Sequence, residues 1–251
     1  MQERYLGDVH DYVNWSLLTC LHEGLGAKIG VNWYKTCPVV QGEADNNHGN
    51  NRGYRNQPLW RDWQPEEFAK LDPLQVLTHR TFENFERNKV LPNNTVFCSD
   101  AVPIGQERDK WHRRVLDKLR DAEIVFLDPD NGFHVRSANA GTLRKYALYE
   151  EARDFFRQGK IVVCIQFAPK VDRIEKAKVV WANLLQGIGR LSAVPVLRAR
   201  VAPNTLFFTL CQDHKAIEIS KSLRSFAKGS PMFHGKDRRI DMIEPKDYAG
   251  I

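Results

Sequence analysis

Two carboxylates and an amide follow a short apolar segment near the middle of the chain. Residues Ile124–Leu127 are apolar and predict a buried parallel strand, which leads directly into Asp128, Pro129, Asp130 and Asn131. Ligands of open α/β sheets bind beyond the carboxyl ends of the strands, so these four residues form the candidate catalytic group. A turn without any chemical role has the same composition, and both interpretations stay open at this point.

Further acidic residues stand at other predicted element ends. Apolar residues recur at helical spacing from Val9 onward, and Asp8 and Asp11 lie in the first turn of this predicted helix, near a histidine and a tryptophan. Helix capping and the helix dipole explain one acid there. Asp100 follows a short apolar strand predicted over residues 95–99. These acids are therefore candidates for ligand binding.

Carboxylates at strand ends suit two reactions. In the first, Asp128 accepts a hydrogen bond from an exocyclic amine and prepares its nitrogen for attack on a methyl sulfonium. The amino and ribose groups of the cosubstrate then bind to Asp8, Asp11 or Asp100. In the second, Asp128 and Asp130 coordinate Mg²⁺ or Mn²⁺ with the acids of the first helix, and the metal activates water against a phosphodiester. A metal-dependent nucleotide-sugar transferase would use the same Asp-x-Asp pattern.

Several common enzyme classes lack support in the sequence. No G-x-x-x-x-G-K-S/T loop occurs, and the glycines near the first predicted strand precede it, whereas a dinucleotide-binding fingerprint follows its strand. Neither a G-x-S-x-G elbow nor an H-x-E motif with P-C-x-x-C is present. P-loop ATPases, dinucleotide dehydrogenases, serine hydrolases and zinc deaminases are thus disfavoured.

The composition describes a basic globular protein. Its 251 residues suffice for one large α/β domain, and the net charge of +6 with a pI near 9.1 favours an anionic partner such as nucleic acid. Five widely spaced cysteines, three of them inside apolar runs, are typical of reduced thiols in a cytosolic protein. Neither a secretory signal nor an apolar run of membrane-spanning length is present. We therefore expect a cytoplasmic protein that binds nucleic acid and no membrane.

Short apolar strands alternate with amphipathic helices along the chain. This order predicts one α/β domain over residues 1–251, with a mostly parallel sheet and helices on both faces. Residues 141–157 are predicted as one helix, and Pro195 predicts an edge position for a strand over 193–201. A polar insertion at about residues 41–57 is expected to be a surface loop, which either closes over a phosphate-bearing ligand or a nucleic-acid strand or has no function of its own. Residues from about 229 to 251 are expected to form a loose tail.

The order of these features resembles that of the adenine-N6 methyltransferases of large-subunit ribosomal RNA, a branch of the class I S-adenosylmethionine (SAM) methyltransferases. Members of that family have an N-terminal helix with an Asp and, three residues later, a Lys, and a hydrophobic strand that ends in Asp-Pro-Pro-Tyr. Asp11 to Asn14 and Val125 to Asp130 stand in those places, and the later strands of the family correspond to 162–167 and 206–210.

The catalytic motif of the family is matched in its first half. Asp128 and Pro129 agree with it, while Asp130 and Asn131 replace its second proline and its aromatic residue. That aromatic residue stacks on an extruded base, and such stacking is worth about 1–3 kcal/mol per base. Phe133, two residues further on, is the expected substitute.

The resemblance implies a Rossmann-like fold, SAM as cosubstrate and a nucleic-acid base as methyl acceptor. The residues expected to bind SAM are Asp8, Asp11, Asn32 and Asp100, with Asn32 standing where the family has a glycine-bearing loop. Two other functions stay open. One is a metal-dependent nuclease or phosphodiesterase, whose ligands to Mg²⁺ or Mn²⁺ would be Asp8, Asp11, Asp128 and Asp130. The other is a nucleic-acid-binding module without catalytic activity.

Overall fold

The centre of the molecule is a seven-stranded sheet, seen in a computed structural model that describes residues 1–36, 51–168, 171–188, 191–201, 203–233 and 237–250. Its strands in chain order are β1 (Ile29–Asn32), β2 (Val96–Cys98), β3 (Ile124–Leu127), β4 (Ile161–Phe167), β5 (Val196–Ala199), β6 (Thr205–Leu210) and β9 (Ile240–Ile243). Strands β7 (Met232–Phe233) and β8 (Asp237–Arg238) form a separate two-stranded ribbon.

The sheet is mixed and has the order β2-β1-β3-β4-β6-β5-β9. The first four strands in this order are parallel neighbours, whereas β6 is antiparallel to β4 and β5, and β9 is antiparallel to β5. Five strands therefore point one way and two the other. The predicted α/β, Rossmann-like fold is confirmed, with a sheet that is mostly rather than wholly parallel.

Helices cover both faces of the sheet because successive side chains of a strand point to opposite sides. Ile124 and Phe126 belong to one apolar core, while Val125 and Leu127 belong to the other. The helices that pack in the first core are α1 (Val9–Leu25), α2 (Pro58–Trp63), α3 (Pro65–Lys70), α4 (Phe82–Arg87) and α8 (Ala216–Lys228). Those in the second core are α5 (Glu107–Lys118), α6 (Tyr149–Arg157), α7 (Arg173–Leu185) and α9 (Pro245–Tyr248).

The helices and the cysteines bear on two expectations from the composition. Within the described ranges, none of the helices combines the length and the apolar character that a membrane crossing requires. Cys20, Cys98, Cys164 and Cys211 are free thiols, as predicted, and Cys37 lies outside the described residues.

The carboxyl ends of the three central strands meet at one edge of the sheet. The chain runs from β1 to β2 on one side and later places β3 on the other side of β1, so the strand order reverses between β1 and β3. Asn32 stands opposite Leu127, and Leu127 stands opposite Cys164. The amide of Asp128 continues this ladder by donating to the carbonyl of Asn32 at 3.0 Å. A crevice at such a reversal is the usual ligand site of an open α/β sheet.

Helix α1 begins at this same edge. Asp8 is its N-cap, with extended backbone, and Gly26 ends the helix in the left-handed conformation (φ 61°). Trp15 anchors the helix against the sheet, with ring centroids 5.2 Å from Trp33 and 5.6 Å from Phe126. The first turn of α1 is therefore held beside the ends of β1 and β3.

The prediction of a loose C-terminal tail is wrong. Strand β9 pairs with β5 in the main sheet, and Tyr248 of α9 is buried with its ring 5.3 Å from that of Trp181. This pairing also corrects the edge position predicted for β5, which lies between β6 and β9. Pro195 precedes the first residue of β5, so its missing N–H removes no bond from the ladder.

The described part of the polar insertion, residues 51–57, is more closely packed than the surface loop that its composition predicts. Residues 41–50 of it lie outside the described residues, but the remainder packs on the body of the protein. Tyr54 is 2% exposed and stacks on Tyr12 at 5.3 Å. Arg52 donates to the carbonyls of Leu6 at 2.7 Å and Gly7 at 2.9 Å. The arginine and the aromatic ring thus stabilise the turn before α1, because their polar atoms find backbone partners there.

The predicted helix over 141–157 starts only at Tyr149, because a buried ion pair holds the preceding segment in another conformation. Arg108 makes a two-pronged contact with Glu151, at 2.7 Å for Nε and 3.0 Å for Nη2. The same guanidinium donates to the carbonyls of Leu143 at 3.0 Å and Tyr146 at 2.6 Å. Residues 143–148 are consequently a fixed loop at the sheet edge.

Removing the arginine of this pair should destabilise the protein strongly. We expect Arg108→Ala to lower the free energy of unfolding by about 3–5 kcal/mol, because the Glu151 carboxylate would remain buried without its partner. Arg114→Ala, an exposed arginine of the same helix, should change it by less than about 0.5 kcal/mol. Urea unfolding of both variants measures the difference, and equal midpoints would contradict the structural role of Arg108.

Candidate active site

A cavity of about 720 Å³ opens at the carboxyl edge of the sheet, between the start of α1 and the ends of β3 and β4. A volume in this range accommodates a ligand of cofactor size. Six of the eight site residues predicted from the sequence line it together: Asp8, Asp11, Asp128, Pro129, Asp130 and Asn131. The tertiary structure thus brings the first turn of α1 and the segment after β3 into one site.

The two acids of α1 have local structural roles as well. Asp8 Oδ1 accepts hydrogen bonds from the amides of His10 at 2.8 Å and Asp11 at 3.1 Å, which is the capping predicted for this residue. Asp11 Oδ2 accepts the amide of Gly7 at 2.8 Å. Gly7 has φ 81°, and a Cβ atom there would lie 2.9 Å from Leu74 Cβ, so the turn requires glycine. These bonds orient both carboxyl groups at the cavity.

Burial disfavours the charged forms of the three central acids. The side chains of Asp8, Asp11 and Asp128 are almost completely buried, at 2–3% exposure. Burial raises the pKa of Asp8 to about 7, although backbone amides and Arg52 oppose the shift. The pKa of Asp11 is raised well above its usual range, mainly by burial and secondly by the charge of Asp8. The pKa of Asp128 is also raised well above its usual range, mainly by burial and secondly by the charge of Asp11. Like charges so close cannot all ionise easily at neutral pH.

Two oxygen atoms in this acidic region lack a partner within the described part of the chain. They are Asp128 Oδ2 and Asn14 Oδ1, both buried and both in residues that line the cavity. A buried acceptor without a hydrogen bond costs about 1–3 kcal/mol. Such atoms are retained in folded proteins mainly where a ligand or water supplies the donor. The floor of the cavity therefore offers acceptors to a donor or cation.

Basic side chains line another part of the cavity. Arg4, Lys145 and Lys176 belong to its lining. Burial and the nearby charge of Arg4 lower the pKa of Lys145, and burial lowers the pKa of Lys176. One cavity thus presents acids at the ends of β3 and α1 and bases from three other segments, which suits a ligand that carries both signs of charge.

Aromatic rings complete the lining. Tyr5, Tyr146 and Phe167 all reach the cavity and are only partly buried. Phe167 is held edge-on by His10, with ring centroids 5.4 Å apart, and His10 Nδ1 lies 3.0 Å from Thr205 Oγ1. Exposed faces of such rings stack on planar bases.

The residues after Asp128 mainly maintain the shape of the site. Asp130 Oδ2 accepts the hydroxyl of Thr36 at 2.6 Å, and its Oδ1 lies 3.3 Å from the amino group of Met1. The amide of Phe133 donates to Gln166 Oε1 at 2.9 Å. Phe133 is completely buried and stacks on Tyr149 at 4.7 Å, so it is not accessible to a base, and the expected substitution is wrong.

Asn32 and Asp100 lie outside the cavity lining. Asn32 is completely buried at the end of β1, and its Oδ1 accepts the amide of Tyr34. Trp33 and Tyr34 fill the two apolar cores at the point where a glycine-bearing loop would leave space. Asp100 follows β2, is 41% exposed and lies 3.7 Å from Lys118 Nζ. Neither residue lines the cavity with the acids, although the backbone carbonyl of Asn32 accepts the amide of Asp128.

Several lining residues escaped the sequence-based prediction. Gln166 had a signal, because it is the polar residue inside the apolar run of β4 and lies near the carboxyl end of that strand. Asn14 had a weaker signal as a polar residue on a buried helix face. Arg4, Lys145 and Lys176 had none, since basic residues are common on any surface.

The described residues do not form the metal site that the nuclease hypothesis requires. Among the described residues, no set of three or more His, Cys, Asp or Glu side chains is arranged so that it could hold a metal ion. Asp130, one of the four predicted ligands, already interacts with Thr36 and with the amino group of Met1.

Comparisons with known proteins identify no relative for this chain. No protein-family model matches it, and neither a curated protein nor a solved structure shows significant similarity to it.

The raised pKa of Asp8 predicts a pH dependence of stability. In the unfolded chain the Asp8 carboxyl titrates near pH 4, so between about pH 4 and 7 the folded state binds more protons and the unfolding free energy falls as pH rises. Asp8→Asn keeps a capping side chain but removes the titration. We expect a shallower fall for this variant in urea unfolding at a series of pH values.

A matched control is available at α7. Asp172 caps that helix with the same pattern, accepting the amides of Ile174 and Glu175, but it is exposed, and those two bonds lower its pKa. Its stabilising effect is lost only below about pH 4, so Asp172→Asn should keep the wild-type slope between pH 4 and 7. A wild-type slope in Asp8→Asn as well would rule out the proton uptake.

Proposed function

We propose that this protein transfers the methyl group of SAM to the exocyclic amine of a nucleic-acid base, and that Asp128 accepts a hydrogen bond from this amine. One observation carries the proposal: Asp128 Oδ2 is buried without a partner in the described chain, at the floor of a cavity of about 720 Å³ beside the carboxyl ends of β3 and β4. An unpaired carboxyl oxygen in this position is suited to an N–H donor.

The lining has the chemical groups that SAM requires. Acceptors of Asp11 and Asn14 suit the positively charged groups of SAM, and Lys145 and Lys176 suit its carboxylate. The rings of Tyr5, Tyr146 and Phe167 offer faces for the adenine of SAM and for a target base. When bound, SAM supplies an electrophilic methyl group, and its sulfur becomes neutral as the methyl group leaves.

Asp128 has two tasks in this proposal. It accepts one N–H of the target amine, which orients the nitrogen toward the methyl group, and it then receives the proton that the nitrogen loses. Burial and neighbouring acids raise the pKa of Asp128, which strengthens it as a proton acceptor once ionised. Holding both reactants in one cavity supplies most of the acceleration.

The neighbouring acids make the site responsive to cationic ligands. A positive ligand favours the ionised forms of Asp8, Asp11 and Asp128, so its binding should lower their pKa values and release protons. SAM meets this condition through its sulfonium and ammonium groups. The position of SAM would be beside α1, β3 and β4, because Trp33 and Tyr34 fill the space next to β1.

Nucleic acid is the favoured acceptor class on grounds of charge. The net charge is +6, and Arg4, Lys145 and Lys176 line the cavity that Asp128 enters. Basic groups near a stacking site are typical of proteins that bind single-stranded nucleic acid. A metal-dependent nuclease gains no comparable support from the described acids, which form no ligand group for a metal ion.

Calorimetry with SAM in the presence of EDTA tests the proposal. We expect binding that tightens as pH rises from about 6 to 8, with proton release detected as a dependence of the heat on buffer ionisation enthalpy. Methyl transfer to nucleic acid should fall by at least about 100-fold in Asp128→Asn. Asp121→Asn, at an acid whose side chain is 73% exposed, should leave the rate of methyl transfer unchanged.

A cleavage assay with Mn²⁺ and a nucleic-acid binding assay, both without EDTA, separate the alternatives. Absence of SAM binding together with Mn²⁺-dependent cleavage of an oligonucleotide would establish the nuclease. Nucleic-acid binding with neither reaction would leave a binding module and overturn the proposal.

A further inference from the structure

One loop beside the main cavity carries only basic charges. The loop consists of residues 134–146, is called the basic loop below, and connects the segment after β3 with the segment before α6. No aspartate or glutamate occurs between Asp130 and Glu150, whereas Arg136, Arg144 and Lys145 all lie within the loop. The basic loop therefore contains three cationic side chains and no anionic one.

Hydrogen bonds of its own residues hold the basic loop in one conformation. Phe133 and Ala147 form a bridge where its two ends meet, and the amide of Ala147 donates to the carbonyl of Gly132 at 3.0 Å. Further along, the amide of Asn139 donates to Thr142 Oγ1 at 3.2 Å, and the amide of Thr142 donates to Asn139 Oδ1 at 3.0 Å. The cationic side chains are therefore presented by a formed loop, which lowers the ordering cost of binding.

The basic loop forms one side of the cavity of about 720 Å³. Val135, Lys145 and Tyr146 belong to the lining of that cavity. Arg136 follows Val135 and Arg144 precedes Lys145 in the chain, but neither arginine belongs to the lining. The two arginines thus lie next to the cavity and outside the space that receives SAM and a base. They are placed for a part of the acceptor that extends beyond the cavity.

The two arginines lack the partners that a structural arginine has in this region. Arg108 donates to both oxygens of Glu151 and to two backbone carbonyls. Arg144 is 9% exposed, yet its Nε has no hydrogen-bond partner in the described chain. Arg136 is exposed, and no salt bridge among the described residues includes it or Arg144. An unmet donor on a buried charged group is costly and is retained mainly where a ligand or water supplies the acceptor.

Phosphate is the acceptor that suits such side chains. Guanidinium groups bind phosphate oxygens in two-pronged fashion. Tyr146 of the same loop adds a partly exposed ring inside the cavity, and guanidinium groups beside a stacking ring are typical of sites for single-stranded nucleic acid. A base must also leave its stack to reach a carboxyl group as buried as that of Asp128, which favours a single strand over a duplex.

We infer that the basic loop binds the phosphodiester backbone of the single-stranded nucleic acid whose base enters the cavity. This role rests on the proposed function for the choice of ligand, and it deepens that function by assigning the surface that holds the acceptor outside the reaction site. Arg136 and Arg144 contact phosphates and carry affinity without reading sequence, whereas the cavity selects the base.

Fluorescence anisotropy with labelled single-stranded RNA and DNA of about 20 nucleotides tests this role. Arg136→Gln and Arg144→Gln should each weaken binding about tenfold. Each should also reduce the slope of log K against log salt by about 0.7, the value for one lost phosphate contact on a single strand. Arg144→Lys keeps the charge and should retain the wild-type slope.

Two further variants match the change of net charge. Ser137→Glu adds an acid at an exposed position of the basic loop and should weaken binding as well, because it repels the same phosphates. Arg113→Gln removes an exposed arginine of α5 outside the loop and the cavity, and it should leave affinity and slope unchanged. Arg136 and Ser137 are exposed, so these variants test the role even if thermal melting shows that Arg144→Gln is destabilised.

Calorimetry with SAM gives an independent measurement of the cavity. Absence of nucleic-acid binding by the wild type, wild-type affinity and slope in both Arg136→Gln and Ser137→Glu, or equal losses in Arg113→Gln would overturn the role of the basic loop. SAM binding with no effect of the loop variants removes this role but leaves the methyltransferase proposal. Loss of affinity in the loop variants without any SAM binding supports the role of the loop and removes the methyltransferase instead.

Discussion

Three carboxyl groups share one poorly solvated region, and the rest of the site depends on keeping them there. Asp8, Asp11 and Asp128 come from two elements more than 100 residues apart. Burial disfavours each of them as an anion, and the charge of neighbouring acids adds to this effect for Asp11 and Asp128. Their position is maintained by the turn before α1. The carbonyl of Gly7 in that turn accepts bonds from Arg52, and also from Tyr54 and Gln75 side chains. Two residues of the polar insertion and Gln75 thus hold the acids of α1 in place.

The opposite wall of the cavity has its own support. The buried pair of Arg108 and Glu151 holds carbonyls of the loop that carries Lys145 and Tyr146, and Gln166 holds the segment after β3 through the amide of Phe133. These contacts are internal to the protein and satisfied, so the lining is largely formed before any ligand arrives. Binding then costs little ordering of the site, which is the condition for accurate positioning of two reactants.

Acidic and basic side chains occupy different parts of the site, which the net charge of the chain does not show. The chain is basic as a whole, yet the buried floor of the main cavity is acidic, and Arg4, Lys145 and Lys176 line another part of it. The cationic cosubstrate and polyanionic acceptor of the proposed function have opposite requirements, which acidic and basic groups in one site would meet. Under that proposal, long-range attraction would come from the net positive charge, and selection of the cation from the buried acids.

Local patterns determined much of this protein without tertiary information. The apolar run before Asp128 predicted the strand and its end, the polar residue before Val9 predicted the cap of α1, and alternation of strands and helices predicted the α/β fold. Tertiary structure decided that β9 joins the sheet, that Asp100 lies outside the cavity while Asp8 and Asp128 meet, and that these two have raised pKa values. The reason is that periodicity and capping are properties of neighbouring residues, whereas burial and charge coupling depend on which distant segments surround a group.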